Sequence, residues 1–415
     1  MDLSSYRQEL IKRFKKYVAY DTQSSEESDT YPSTSKQKDF AKILAEDLRA
    51  LGLQDVEVDD YGYVFATLPA NVEKEVPTIG LIAHMDTSPD VSGANVKPIL
   101  HENYRGGDLR LPGDPNVVIR SEENPALRDQ IGHTLITSDG TTLLGADNKA
   151  GIAEIITAVH YLMDHPEIKH GKIRIAITPD EEVGQGTKYF DIKKFGADYA
   201  YTVDGETAGE IENETFCADS VTVTFHGVNV HPGYAKNKLV NAIKIAADYL
   251  DRLPKDRLSP ETTEGREGYV HPNTISGGVE ETTVKFLIRD FTVEGLHEKE
   301  EFLRQLAEKT VQKYPRASFD FQVEESYRNM RYKLDEEPRV TEFAMKAVER
   351  AGLKPKLNII RGGTDGARLS YEGLLTPNIF TGGHNFHSKQ EWISVEDMLK
   401  AAEVIVHLVQ IWAEA

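Results

Sequence analysis

Between about residue 35 and residue 205 the chain alternates two kinds of hydrophobic pattern. Apolar residues recur at helical spacing over 35–51 and over 152–163, which predicts two amphipathic helices. Extended runs rich in β-branched and aromatic residues predict strands at 56–68, 78–84, 172–178 and 199–204. Such an alternation is typical of βα units, so we expect a largely parallel sheet with helices on both faces. Residues 101–140, rich in Gly, Pro and charge, are predicted to form a long loop or excursion.

The pattern changes near residue 215 and changes back after residue 326. In between, the predicted elements follow the order strand, helix, strand, strand, helix, strand, with the helices near 238–252 and 296–313. This β-α-β-β-α-β order is that of a small two-layer α+β domain. After it, the earlier pattern resumes with a helix at 338–352, strands at 355–360 and 374–381, and a helix at 394–412.

The fold class predicted from these patterns is therefore α/β, with a main domain that is built from two separate parts of the chain. Residues 1–214 and 327–415 are expected to form this main domain, and residues 215–326 an inserted α+β domain. No internal repeat is visible in the sequence.

Composition and charge narrow the functional classes. A chain of 415 residues, 39% hydrophobic and 28% charged, is typical of a folded soluble protein with two to three domains. Its 48 basic and 68 acidic residues give 48 − 68 = −20, which disfavours nucleic acid as a partner. The single cysteine, Cys217, allows no intrachain disulfide and no cysteine metal cluster. Because no apolar run of 18 residues and no signal-peptide pattern occurs, no membrane span is expected and the cytoplasm is the expected compartment.

Acidic and histidine residues stand directly after several predicted strands, where ligands bind in open α/β sheets. They are His84, Asp86, Glu181, Glu182, Asp204 and His387. Asp147 stands at the start of a predicted helix, from which its carboxylate could reach the same edge. Two histidines and three carboxylates suit a pair of zinc-like ions with one bridging carboxylate and an open position for water.

Each of these residues also has an ordinary structural explanation. Asp147 alone would more often cap a helix, and Asp204 in a VDGE segment would usually form a turn. The adjacent acids Glu181 and Glu182 would usually be solvated, and a histidine such as His84 could be part of the core. The metal-site hypothesis therefore depends on the set of residues expected at one sheet edge rather than on any one of them.

A series of motifs resembles the co-catalytic zinc exopeptidases, the family that includes carboxypeptidase G and aminoacylase. In chain order these motifs are LIAHMDTSPD (81–90), LLGADNKAGIAEI (143–155), ITPDEEVGQG (177–186), YTVDGE (201–206), HPGYAK (231–236), RGGTDGARLS (361–370) and HSKQEWISVEDM (387–398). The wording of the second, fifth and sixth motifs is most similar to the bacterial tripeptide aminopeptidases of that family. The resemblance covers essentially the whole chain.

The resemblance implies which residues hold the metals. The first ion would be bound by the residues at the positions of His84, Asp147 and Asp204. The second ion would be bound by Asp147, Glu182 and His387, so Asp147 would be the bridging ligand. Two zinc ions per subunit are implied, with cobalt or manganese as substitutes. His384 is a rival ligand on composition alone, but the motif favours His387, and Asn148 stands where relatives often carry an acid.

Two acids have implied roles beside the metals. Glu181 matches the general base of the family, and Asp86 matches the acid that supports the first histidine ligand. Both roles are chemically reasonable, because a carboxylate near the reacting water can move its proton and a carboxylate beside a ligating histidine fixes the ring.

Four residues are candidates for binding substrate. The resemblance implies that His231 of the inserted domain stabilises the oxyanion. Arg289 and Arg361 are candidate clamps for a substrate carboxylate, since guanidinium binds carboxylates bidentately, and either could instead form a structural ion pair. Asn273 in HPNTISGG is a weaker candidate.

The function that the resemblance implies is that of a di-zinc aminopeptidase that releases the N-terminal residue of short peptides, most of all tripeptides. A carboxypeptidase or N-deacylase of the same family is one alternative, because the metal core does not encode which end of the substrate is read. A non-catalytic peptide-binding relative is another, disfavoured by the intact set of ligands. The inserted domain would be of the lid or dimerisation type, so a homodimer through it is an option that the sequence leaves open.

Overall fold

A computed structural model describes residues 2–415 of the chain. These residues form two compact units. Unit 1 contains the chain up to Asn213, together with Tyr332–Asn358 and Thr364–Ala415. Unit 2 contains Glu214–Arg331 and the short segment Ile359–Gly363. The sequence pattern places that short segment in the main domain, and the domain boundaries at 214/215 and 326/327 stay predictions.

The chain contains ten α-helices and eighteen strands among the described residues. The helices are α1 (Arg7–Val18), α2 (Ser35–Leu51), α3 (Ala146–Asp164), α4 (Ile192–Phe195), α5 (Ala242–Asp251), α6 (Val293–Val311), α7 (Arg331–Leu334), α8 (Arg339–Arg350), α9 (Asp365–Tyr371) and α10 (Val395–Glu414). The strands are β1 (Gln54–Val58), β2 (Val64–Leu68), β3 (Ile79–His84), β4 (Ile99–His101), β5 (Leu109–Arg110), β6 (Val118–Ile119), β7 (Leu135–Thr137), β8 (Ile173–Thr178), β9 (Tyr199–Gly205), β10 (Glu210–Thr215), β11 (Cys217–His226), β12 (Tyr269–Gly277), β13 (Glu281–Asp290), β14 (Ser318–Tyr327), β15 (Lys356–Ile360), β16 (Asn378–Phe380), β17 (Gly383–His384) and β18 (Trp392–Ser394).

An eight-stranded sheet in the order β1-β2-β8-β3-β9-β16-β10-β15 organises unit 1. Its four central strands run parallel to one another, in the order β8, β3, β9 and β16. The flanking strands β2 and β10 run antiparallel to β8 and β16, respectively. The α/β prediction is confirmed, and the sheet is mixed, with its parallel part confined to the centre.

Both faces of this sheet are buried, as expected for a parallel centre. Along β3, Leu81 and Ala83 belong to the large apolar cluster formed with α1, α2, α3, α8 and α10. The residue between them, Ile82, belongs to the cluster on the other face, which includes Phe195 of α4 and Leu369 of α9. Alternate residues of β3 therefore pack against helices on opposite faces of the sheet.

Segment 101–140 has more structure than its composition suggests. The strands β4 and β7 from this region pair with β17 and β18 in a small sheet of the order β17-β18-β7-β4. A 3-10 helix spans Pro125–Gln130, and β5 pairs with β6. The strand expected over 374–381 is only three residues long, and the short helix α9 precedes it.

Unit 2 has the predicted order β11-α5-β12-β13-α6-β14. Its four strands form an antiparallel sheet in the order β12-β13-β11-β14. Val221, Val223 and Phe225 alternate along β11 and form an apolar cluster with residues of α5 and α6. The predicted inserted α+β fold is thus confirmed. No helix among residues 2–415 combines the length and the hydropathy that a membrane crossing would need.

Candidate active site

The carboxyl ends of the central parallel strands bring the predicted ligands together. His84 is the last residue of β3, and Asp204 is the next-to-last residue of β9. Glu182 lies on the turn that follows β8, and His387 lies in the loop between β17 and β18. Asp147 lies at the start of α3, where its backbone angles are not yet helical.

The first candidate metal group consists of His84, Asp147 and Asp204. The Nε2 atom of His84 lies 2.9 Å from Oδ1 of Asp147 and 3.4 Å from Oδ1 of Asp204. One ligand atom from each of the three residues lies within 4.8 Å of the others, which is compatible with a shared ion.

The second candidate group consists of Asp147, Glu182 and His387. The Nε2 atom of His387 lies 2.8 Å from Oε2 of Glu182 and 3.2 Å from Oδ2 of Asp147. The two carboxylate oxygens of Asp147 thus face two different histidines, Oδ1 toward His84 and Oδ2 toward His387. This is the arrangement that a bridging carboxylate requires.

The electrostatics of these groups suit bound cations. Burial and the nearby charge of Asp147 raise the pKa of Glu182 to about 8, and burial raises the pKa of Asp204 to about 7. Hydrogen bonds with Asp147 and Glu182 raise the pKa of His387 to about 11. In addition, Oε1 of Glu182 is buried and has no hydrogen-bond partner within residues 2–415. A buried carboxylate oxygen without a donor is expected where a metal ion supplies the missing positive charge.

Asp86 supports both the first histidine and the turn that carries the two glutamates. Its side chain is fully buried, and its Oδ1 atom lies 3.3 Å from Nδ1 of His84. Its two oxygens also accept hydrogen bonds from the backbone N–H groups of Glu181 and Glu182, each at 3.1 Å. One carboxylate therefore fixes a histidine ring and the backbone of the adjacent acids.

Asp180 fixes the same turn from its other side and was not anticipated from the sequence. It has a positive φ of 55°, and its carboxylate accepts bonds from the backbone N–H and hydroxyl of Ser33 and from Nε2 of Gln37. Its own N–H donates to Oε1 of Gln37. The only sequence signal for this contact is the place of Asp180 directly before Glu181 in the PDEE segment.

Glu181 is half-buried beside the metal groups. Burial raises the pKa of its carboxyl well above the usual range, and although nearby His84 opposes this, the carboxylates of Asp365 and Asp204 add to the rise. A carboxyl group with a raised pKa can accept a proton and later donate it near neutral pH.

Two further polar contacts support individual ligands. Asn378 accepts a bond from the N–H of Asp204 at 3.0 Å and donates to Oε2 of Glu212 at 2.6 Å. Asp90 lies with Oδ2 3.2 Å from Nδ1 of His387. Asp90 is part of the LIAHMDTSPD motif, but nothing in the sequence connects it to His387.

His384, the rival ligand, lies outside both metal groups found among residues 2–415. Its ring stacks on Trp392 with the ring centroids 4.3 Å apart, and burial lowers its pKa to about 4. It is therefore a neutral core histidine.

The four predicted substrate residues lie in unit 2. His231 is exposed, and its Nδ1 atom accepts a bond from the N–H of Gly233, which leaves the proton on Nε2. Arg289 donates through Nη1 to the carbonyl oxygen of Ile288 at 2.9 Å. Asn273 is exposed on β12, at an irregularity in its pairing with β13.

Arg361 is bound to a loop of its own unit. Its Nη1 atom donates to the carbonyl oxygens of Gly265 and Glu267, and its Nη2 atom donates to Thr263. Its guanidinium group also lies over the ring of Phe216, 5.1 Å from the centroid. These contacts hold the segment Ile359–Gly363 in unit 2.

Comparison with known proteins places this geometry in a family. The profile of Peptidase family M20/M25/M40 matches residues 137–411, well over half of the chain. The chain belongs to peptidase family M20/M25/M40. Peptidase T of Clostridium acetobutylicum is 53% identical to this M20 chain over 407 residues, which cover 98% of the chain and all of the relative. Peptidase T of Geobacillus sp. strain WCH70 is 50% identical over 408 residues, 98% of the chain and 99% of the relative.

Solved structures agree with the M20 assignment. The crystal structure of aminopeptidase PepT from Bacillus cereus has a TM-score of 0.76 and 26% identity, and the match covers 98% of this chain and 99% of that one. A dinuclear metal binding peptidase of the M20 family from Bacillus subtilis has a TM-score of 0.66 at 15% identity, over 99% of both chains, and shows the same fold. The family resemblance and the expectation of a hydrolytic exopeptidase are confirmed.

The double contact of Asp86 leads to a prediction. In Asp86→Asn, the new amide N–H₂ would face at least one of the N–H groups of Glu181 and Glu182, so the turn should shift. The Nδ1 atom of His84 should lose the carboxylate beside it and keep only the backbone carbonyl oxygen of residue 86. We expect zinc affinity, measured by titration against a chelator, to fall about 10–100-fold, as is usual when a residue supporting a metal ligand is lost. Asp90→Asn is the control and should have the smaller effect, because the Asp90 carboxylate contacts His387 and the Ser88 hydroxyl but not the turn of Glu181 and Glu182. Unchanged affinity in Asp86→Asn would contradict the role.

Proposed function

We propose that this chain is a zinc-dependent aminopeptidase that releases the N-terminal residue from tripeptides. The observation that carries the proposal is the position of Asp147, whose two oxygens face two separate groups of a histidine and a carboxylate. The full-length similarity to relatives named peptidase T, at about 50% identity, supports the aminopeptidase activity.

The donor atoms favour zinc at both positions. Each group offers one imidazole nitrogen and carboxylate oxygens, which are ligands that zinc binds readily and that cobalt and manganese also accept. When bound, such ions polarise a scissile carbonyl group and make water acidic enough to attack it near neutral pH.

The residues of the chain supply the proton transfers. In the proposed mechanism Glu181 removes a proton from the attacking water and delivers it to the amine that leaves. Asp86 holds the backbone N–H groups of Glu181 and Glu182, so the two adjacent side chains keep separate tasks. Glu182 then belongs to the second metal group, while Glu181 stays available for the substrate.

His231 is proposed to donate to the developing oxyanion. Because its Nδ1 atom accepts the N–H of Gly233, its Nε2 atom carries a hydrogen that can be donated without protonation of the ring. A cytoplasmic location and a homodimer formed through unit 2 also stay proposals.

A free tripeptide has an ammonium group at one end and a carboxylate at the other, so an enzyme that reads its length needs a cation for the far end. Arg361 would have to release the loop carbonyls of Gly265 and Glu267 before it could bind a substrate. Within residues 2–415 Arg289 donates through Nη1 alone, to the carbonyl oxygens of Asp219 and Ile288, which makes Arg289 the better candidate. A guanidinium group that binds the far carboxylate would favour peptides with a free C-terminus over amidated ones.

The first prediction of this proposal separates the adjacent glutamates. Glu181→Gln should retain both zinc ions but lose activity about 10²–10⁴-fold, because the general base is gone. Glu182→Gln should instead lose affinity for one ion. Metal content and kcat measured on the same preparations test both statements. A fully metallated Glu181→Gln enzyme with nearly normal kcat would show that Glu181 is not the base.

The second prediction concerns the substrate. A panel of di-, tri- and tetrapeptides, free or blocked at either end, should show the fastest release of the N-terminal residue from free tripeptides. Amidation of the C-terminus should lower kcat/KM at least about tenfold, since the half-buried guanidinium group of Arg289 would lose its carboxylate partner. Cleavage of N-acetylated peptides with release of the C-terminal residue would favour the alternative, a carboxypeptidase or N-deacylase. No turnover of any peptide by the zinc-loaded protein would favour the non-catalytic relative.

A further inference from the structure

A buried carboxylate outside both metal groups binds the backbone that carries Asp147. Glu391 is 1% exposed and precedes β18 directly. Its Oε2 atom accepts hydrogen bonds from the backbone N–H groups of Leu144 and Gly145 at 2.7 and 2.8 Å, and its Oε1 atom accepts the N–H of Asp147 at 3.0 Å. The carboxylate thus binds three N–H groups within four consecutive residues, 144–147.

The same residue belongs to the loop that presents His387. This loop connects β17 to β18, and the two strands pair with His384 of β17 opposite Trp392 of β18. Two hydrogen bonds within the loop stabilise its conformation. The N–H of Glu391 donates to the carbonyl oxygen of Ser388, and the hydroxyl of Ser388 donates to the carbonyl oxygen of Asn385. The backbone around His387 is therefore connected through Glu391 to the backbone of the bridging ligand.

We propose that Glu391 is a positioning residue of the metal centre, which fixes Asp147 relative to His387. The inference rests on the metal site of the proposed function. It assigns to Glu391 no contact with metal or substrate, and its effect passes through the backbone N–H of Asp147.

The chemistry of the contact requires a carboxylate. Three converging N–H groups form a concave site for an anion, and the left-handed conformation of Gly145, with φ 79°, helps to turn them inward. A glutamine has the same shape but only one acceptor oxygen, so its N–H₂ group would face a backbone N–H, and at least one buried donor would be left without an acceptor. The segment 144–147 should then relax, and both metal groups contain Asp147.

If Glu391 had only a structural role, Glu391→Gln would lower the melting temperature without a selective change in metal affinity. Asp397, near the start of α10, is also buried and accepts a hydrogen bond from Nε2 of Gln130 at 3.0 Å. Asp397→Asn is therefore a matched control: it neutralises a buried carboxylate elsewhere in unit 1. Both variants should lower the melting temperature, whereas only a positioning residue should change metal affinity selectively.

The experiment is a zinc titration of the full chain against a competing chelator, for the unsubstituted protein, Glu391→Gln and Asp397→Asn. We expect two ions in the unsubstituted protein, a loss of affinity of at least about tenfold for both in Glu391→Gln, and a change below about threefold in Asp397→Asn. Affinities in Glu391→Gln within twofold of the unsubstituted protein, or an equal loss in both variants, would overturn the inference. An unsubstituted protein that binds no zinc would contradict the proposed function itself.

A second measurement needs no variant and applies if Glu391→Gln does not fold. In the metal-free unsubstituted protein, the amide hydrogens of Leu144, Gly145 and Asp147 should exchange with solvent at least about a hundredfold more slowly than in an unstructured peptide, because each is bonded to a buried carboxylate. Exchange at the unstructured rate would overturn the inference.

Discussion

Repulsion between carboxylates at one sheet edge is the constraint on which this structure depends. Asp86, Asp147, Glu182 and Asp204 meet there in or beside the candidate metal groups; Asp86 is fully buried and the other three are half-buried, so like charges interact more strongly than in bulk water. The two histidines offset part of this charge, but burial, together with the nearby charge of Asp147, still raises the pKa values of Glu182 and Asp204. Two divalent cations would offset the rest, so the feature that is costly for folding is the one that would bind the metals.

The backbone supplies much of what holds these groups in place. Asp86, Asp180 and Glu391 are all buried. Asp86 and Glu391 accept backbone N–H groups of segments that carry candidate ligands, and Asp180 connects the turn of Glu181 and Glu182 to Ser33 and Gln37. An acid that accepts several N–H groups is both satisfied and rigid. The parallel strands therefore bring the ligands to one edge, and a second set of acids fixes the turns on which those ligands are displayed.

Much of this arrangement could be predicted from the sequence, and the rest could not for physical reasons. Hydrophobic periodicity predicted the βα units and the order of elements in unit 2, because it reports directly on which side of an element is buried. It could not predict the antiparallel flanks of the large sheet, since a buried strand has the same pattern in either direction. Ordered motifs predicted that His84, Asp147, Glu182, Asp204 and His387 would lie together, and the structure brings them into two adjoining groups. Glu391 was missed because its role depends on contact with Asp147, 244 residues away, and a single acid in a chain with 68 gives no signal of that contact.

The central claim is that Asp147 bridges two ions at this edge, and anomalous diffraction tests it most directly. Crystals of the zinc-loaded protein, measured above and below the zinc absorption edge, should show two anomalous peaks about 3.5–4 Å apart. One peak should lie beside His84 and Asp204, the other beside Glu182 and His387, with one oxygen of Asp147 toward each. A single peak in fully active crystals, or two peaks that do not share Asp147, would contradict the account.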